Sequence, residues 1–190
     1  MVSNKNAPTY KTAKKLNDIL KQCLNLDNRY NTISSTSLAN DIVKLTINNK
    51  HRMITYDVKD LYVNIPIEET LKITENQLLK NNDKHKTKQI IATLKTILAQ
   101  NYFTFQDAIY HPNKGVAMGS PISGTMAEIF LQDIENRHLK QLLDSKNITF
   151  YTRYVDDIHN IRHHTHYSQV NSRVHKQHPQ LLTTQPNARK

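Results

Sequence analysis

Between Lys11 and Leu24 the apolar positions Leu16, Ile19, Leu20 and Leu24 recur at three- and four-residue spacing. Lys11, Lys14, Lys15 and Lys21 fill other positions, which predicts an amphipathic helix. A second helix is predicted from a cap at Ser34–Ser37 through Leu38, Ile42, Val43 and Leu45. The short apolar run Met53-Ile54-Thr55-Tyr56 ends at Asp57 and reads as a strand. Pro66 opens the next helix, to about Leu79, with Glu68 and Glu69 at its positive end. Helical spacing returns from Thr87 to Gln100 on Ile90, Ile91, Leu94, Ile97 and Leu98. Tyr102–Phe105 and Ala108–Tyr110 read as a hairpin. Pro121–Leu143 reads as a long amphipathic helix with Ser120 as its cap. Ile148–Ile161 alternates around Asp156-Asp157, predicting a strand, a tight turn and a strand. Beyond Arg162 the pattern dissolves. Helices and strands are mixed, so the expected class is α+β.

Charge adds a second layer. The 190 residues carry 26 Lys+Arg against 16 Asp+Glu, a formal net charge of +10. It is spread unevenly: residues 1–56 are net +6, residues 57–137 net −1, and residues 138–190 net +5. Basic flanks around an acidic centre suit a polyanion approached from the flanks and a cation held in the middle, against the plainer alternative of a generic basic surface. No apolar run approaches ~18 residues, so no membrane span and no membrane partner are expected. The first fifteen residues lack an apolar core, so no secretory signal is expected either. The single cysteine, Cys23, cannot close an internal disulfide or supply a cysteine-based zinc site. These features predict a soluble chain of a reducing, intracellular compartment.

Three features interrupt the scaffold. Asp57 ends a strand inside YDVKDLYVNIP; alone, it reads as a turn residue or a helix cap. Asp156 and Asp157 are adjacent at a hairpin turn; alone, they read as a solvated turn. All three glycines, Gly115, Gly119 and Gly124, fall in KGVAMGSPISG, where the backbone is expected to bend or to be approached closely. No lysine follows in the manner of a phosphate-cradling loop, so that motif is absent. Together the carboxylates carry more. If the two strands are neighbours, Asp57, Asp156 and Asp157 converge into a two-metal site for Mg²⁺ or Mn²⁺, whose chemistry is phosphoryl transfer.

In order and spacing, Asp57–Pro66 (DVKDLYVNIP), Gly115–Pro121 (GVAMGSP) and Tyr154–Asp157 (YVDD) resemble the A, B and C motifs of reverse transcriptases. NIP, AMGSP and RYVDD are most similar to those of Penelope-like retroelements, relatives of telomerase. The resemblance runs from about Asn6 to Ile161. It implies a right-hand polymerase palm with partial fingers, an antiparallel sheet carrying the carboxylates and helices packed on it. Residues 162–190 would follow as a basic, histidine-rich, poorly patterned segment. It implies Asp57, Asp156 and Asp157 as the catalytic carboxylates and ligands of two metal ions, with the Val58 carbonyl as a further ligand. Tyr62 falls at the gate that excludes a ribonucleotide 2′-hydroxyl, and Gly119, Ser120 and Pro121 would line the nucleotide site. Lys11, Lys14 and Lys15 are candidates for phosphate-backbone contact, beside the reading of a solvated helix face. The implied partners are an RNA or DNA template with its primer and deoxynucleoside triphosphates. The implied location is nuclear.

The sequence also departs from the family. The first fingers hairpin, with its triphosphate-gripping basic residues, and the thumb are expected to be absent. No segment resembles the GIY-YIG endonuclease, and His159 stands where the family strand carries an apolar residue. Six of ten histidines lie between His159 and His178, including His163-His164-x-His166, but no closed zinc set is expected there. Two rivals to a polymerase stay open on the residues: a retroelement remnant that only binds nucleic acid, and a two-metal nuclease.

Overall fold

The computed structural model describes residues 8–26, 30–32, 34–106, 108–144 and 148–163. Its elements are α1 (Tyr10–Cys23), α2 (Ser35–Val43), β1 (His51–Asp57), α3 (Leu61–Asn64), α4 (Ile67–Asn81), α5 (Lys84–Ala99), β2 (Phe103–Phe105), β3 (Ala108–Tyr110), α6 (Ser123–Asp144), β4 (Phe150–Tyr154) and β5 (Asp157–His163). The expected α+β class holds. Two compact units divide the chain: one holds residues up to Leu26 and Tyr62–Asp133, the other the residues from there to Leu61 and from Ile134 onward. Histidines beyond His163 lie outside the described residues.

In the first unit, α4 and α1 pack on α5. Buried Thr70, Leu71, Thr74 and Leu78 form the inner stripe of α4, and Ile90, Ile91, Leu94, Ile97 and Leu98 that of α5. Fully buried leucines such as Leu78 and Leu94 each contribute about 1.5–3 kcal/mol. The hydroxyls of Thr70 and Thr74 donate to the carbonyls of Pro66 and Thr70 at 2.8 and 2.7 Å, so neither enters the apolar layer unpaired. Helix α5 starts before the predicted Thr87 because the Asp83 carboxylate accepts the Lys86 amide at 2.8 Å. Helix α6 starts later than predicted. Ser120 does not cap it; its carbonyl accepts the Ser123 amide at 3.1 Å in a separate turn. The Ser123 hydroxyl donates to the Ala117 carbonyl at 2.6 Å, and the first helical bond runs from Met126 to Ile122.

In the second unit the sheet order is β1-β5-β4, antiparallel throughout. Side chains alternate across it. Ile54, Tyr56, Arg153, Asn160 and Arg162 lie on one face and are buried. Asp57, Met53, Asp157 and Tyr154, on the opposite face, are exposed. Residues 30–32 run beside β4: Arg153 donates its amide to the Tyr30 carbonyl at 2.8 Å, and its carbonyl accepts the Thr32 amide at 3.0 Å. Tyr30, Leu139 and Ile148 form a buried cluster against Leu143 and Tyr151, and the Tyr30 and Tyr151 rings meet edge to face at 5.8 Å. Helix α2 buries none of its residues; its predicted start is confirmed by Ser34, whose hydroxyl accepts the Ser37 amide at 3.2 Å.

Candidate active site

The sheet register settles where the carboxylates go. Asp57, the last residue of β1, pairs directly with Asp157, the first of β5, and Asp157 pairs in turn with Tyr154 of β4. Directly opposed antiparallel residues share a face, with Cβ atoms about 4.5–5.5 Å apart. Asp57 and Asp157 therefore stand side by side at the exposed end of the sheet. Asp156 occupies the two-residue loop between β4 and β5 and is half-buried. Its carbonyl accepts the Val58 amide at 3.0 Å, bonding the peptide after Asp57 to the peptide after Asp156. Strands β1 and β5 are neighbours.

Like charges directly opposed across strands are destabilising unless a cation intervenes. The donor set is hard oxygen with no soft ligand, which suits a divalent cation of the Mg²⁺ or Mn²⁺ type. Among the described residues no group of three His, Cys, Asp or Glu side chains is gathered tightly enough to hold an ion alone. Val58, a proposed carbonyl ligand, has its side chain buried and its amide engaged with Asp156.

The GVAMGSP segment lies in the first unit with Tyr62. Val116 donates its amide to the Tyr62 carbonyl at 2.8 Å. Gly115 has φ +75°, and a Cβ there would stand 2.5 Å from the Tyr62 carbonyl oxygen and closer still to that of Val63. Only glycine fits this close backbone approach. Gly119 has φ +95° in open space, so its need is conformational alone. Gly124 departs from the expectation; it is an ordinary position in α6, with open space around it. Tyr62 is half-buried in α3, and Ser120 and Pro121 follow Gly119 in the turn before α6. Lys11, Lys14 and Lys15 are exposed on α1, and Lys15 lines an open groove of about 340 Å³ between α1 and α5 with Lys86. Lys86 was not singled out by the sequence pattern.

Sequence reasoning also missed a buried ion pair beside the turn. Arg153 donates through Nε to Glu135 Oε1 at 2.6 Å and through Nη2 to Oε2 at 3.2 Å, and the Tyr151 hydroxyl donates to the same Oε1 at 3.1 Å. The available signal was an arginine at an inward-facing position of β4, three residues before the Asp pair. His159, flagged as unusual, faces Thr55 across the sheet, with Nδ1 3.3 Å from the threonine hydroxyl.

Comparison with known proteins bears on the fold. The family model described as reverse transcriptase (RNA-dependent DNA polymerase) matches residues 7–185. Among solved structures, telomerase from Candida albicans, in complex with a fragment of telomeric RNA, is similar with a TM-score of 0.64 at 15% identity, over 94% of this chain and 35% of that one. Apo telomerase from Candida tropicalis, truncated of its C-terminal domain, is similar with a TM-score of 0.60 at 17% identity, over 84% of this chain and 35% of that one. The chain thus spans about a third of the length of these telomerases. No curated protein matches. The fold is that of a polymerase palm with part of the fingers, and the chain belongs to the reverse transcriptase family.

Proposed function

We propose that this chain, over residues 1–161, is the palm and partial fingers of an RNA-directed DNA polymerase of a Penelope-like retroelement, acting in the nucleus. The observation that carries the reading is the register that sets Asp57 opposite Asp157 with Asp156 in the adjoining loop. Family membership and the acidic centre between basic flanks support it. The substrates are an RNA or DNA template with its primer and deoxynucleoside triphosphates. The primer 3′-hydroxyl attacks the α-phosphate, the bond to the leaving pyrophosphate breaks, and the hydroxyl proton passes to solvent.

Asp57, Asp156, Asp157 and the Val58 carbonyl would hold two Mg²⁺ or Mn²⁺ ions, which supply charge neutralisation at the attacking and leaving oxygens. The carboxylates supply no acid–base step; their work is positioning, because phosphoryl transfer leaves the protein little covalent chemistry to do. Tyr62 acts as the gate against the ribonucleotide 2′-hydroxyl. Gly119, Ser120 and Pro121 line the path of template and nucleotide, and Lys11, Lys14 and Lys15 contact backbone phosphates.

Primer extension on an RNA template, with Mg²⁺ and separately with Mn²⁺, tests the reading against a variant carrying Asp156→Ala and Asp157→Ala. Extension by the wild type alone supports it. No extension by a folded wild type that binds nucleic acid in a salt-sensitive way turns the reading to a binding remnant. Strand cleavage that needs no nucleoside triphosphate turns it to a nuclease.

A further inference from the structure

We propose that Arg153, anchored by Glu135, is a positioning residue that fixes the backbone of the carboxylate turn. The turn needs such a device. Val155, the first of its two loop residues, has φ +54°. A β-branched residue in that region is strained, and strain of this kind persists only where the surroundings over-determine it. Arg153 Nη1 donates to the Val155 carbonyl at 2.9 Å, which fixes the peptide plane leading into Asp156. The Val58 amide holds the carbonyl of Asp156 itself, fixing the next plane. Two successive peptide planes around Asp156 are thereby held from two sides.

Arg153 is suited to this because it is buried and hydrogen-bonded on both edges of its guanidinium. Its side chain is 1% exposed, and Glu135, 5% exposed, takes the guanidinium at two nitrogens. Tyr151 braces Glu135. The Arg153 backbone is held by Tyr30 and Thr32. A planar fork can serve a carboxylate on one edge and a carbonyl on the other at once; a lysine ammonium on a flexible stem cannot hold that geometry. The role rests on the polymerase reading of Asp156 and Asp157, but the holding of the turn is measurable without activity.

The test is amide hydrogen exchange of the whole chain at Val58, with Thr149, bonded to the Ile161 carbonyl at 2.7 Å, as the reference amide of the same sheet. Removing one member of a buried pair strands the other charge, so the main variant is the double change Arg153→Met with Glu135→Leu, which removes both. Val58 is expected to exchange about 10–100-fold faster with Thr149 unchanged, the loss expected of a charge-assisted hydrogen bond. Arg153→Lys is expected to keep the thermal midpoint but not the Val58 protection. In primer extension, kcat is expected to fall with KM for the nucleotide unchanged. Unchanged Val58 exchange in the double variant, equal acceleration of Val58 and Thr149, or full rescue by lysine would each overturn the proposal. A wild type without extension would sink the polymerase reading instead, while the Val58 measurement still judges the role of Arg153.

Discussion

The Val58 amide donates to the Asp156 carbonyl at 3.0 Å, so two residues 98 apart in sequence, one from each carboxylate motif, share one hydrogen bond at the end of the sheet. The bond continues the β1–β5 ladder one step past Asp57 and Asp157. It makes the separation of the carboxylates a property of sheet register rather than of flexible side chains alone. A one-residue slip would send Asp57 and Asp157 to opposite faces.

On the proposed polymerase reading, the opposed charges of Asp57 and Asp157 trade stability for function. With divalent ions chelated, Asp157→Asn is expected to stabilise the chain by about 0.2–1 kcal/mol, because a repulsive cross-strand pair becomes neutral. The same variant is expected to lose primer extension by about a thousandfold. Thermal denaturation in chelator beside an extension assay checks both halves together.

The two positive-φ glycines are expected to respond differently to alanine. Gly115→Ala adds backbone overlap with Tyr62 and Val63 to the conformational cost, and is expected to cost more than about 3 kcal/mol. Gly119→Ala meets open space and is expected to cost about 1 kcal/mol. Denaturant unfolding of both variants decides; equal losses would show that the close approach at Gly115 is relieved by backbone movement.

Tyr62 as gate makes a selective prediction. Tyr62→Ala is expected to raise ribonucleotide incorporation relative to deoxyribonucleotide by about 10–100-fold, since the bulk that rejects the 2′-hydroxyl is gone. Parallel extension with the two nucleotide classes reads the ratio. An unchanged ratio would remove Tyr62 from the gate.

Acidification is expected to loosen α5 from its start. The Lys86 amide bonded to Asp83 holds that carboxyl below its ordinary 3.8. A depressed carboxylate contributes stability above its unfolded value and loses it as pH falls through the folded value. Asp83→Ala is therefore expected to melt a few degrees lower at neutral pH, the gap narrowing below 3.8. A gap independent of pH would assign the loss to helix propensity alone.

Much of this fold was legible because its periods are clean. The leucines of α1 and the isoleucines of α5 recur at helical spacing, and Met53–Tyr56 alternates as a strand with one buried face. Element ends were harder, since they depend on single hydrogen bonds: Asp83 to Lys86 begins α5, and the turn at Ser120 delays α6. For the site, the motif spacing supplied the carboxylates, but register supplied their pairing. For the Arg153–Glu135 pair only the inward strand position of Arg153 was a signal; its partner was not, because a buried salt bridge joins a strand to a helix by tertiary packing, which leaves no local period. Gly124 shows the opposite limit, a residue grouped with its neighbours by sequence that the backbone does not require to be glycine.

The central claim is that Asp57 and Asp157 serve one cation site completed by a nucleotide. Its most direct test is a Mn²⁺ titration followed by electron paramagnetic resonance, with primer–template and deoxynucleoside triphosphate present. Wild type is compared with Asp57→Asn and Asp157→Asn. The account predicts saturable binding by the wild type and a loss of affinity of at least about tenfold in each variant. Wild-type affinity in both variants would contradict it.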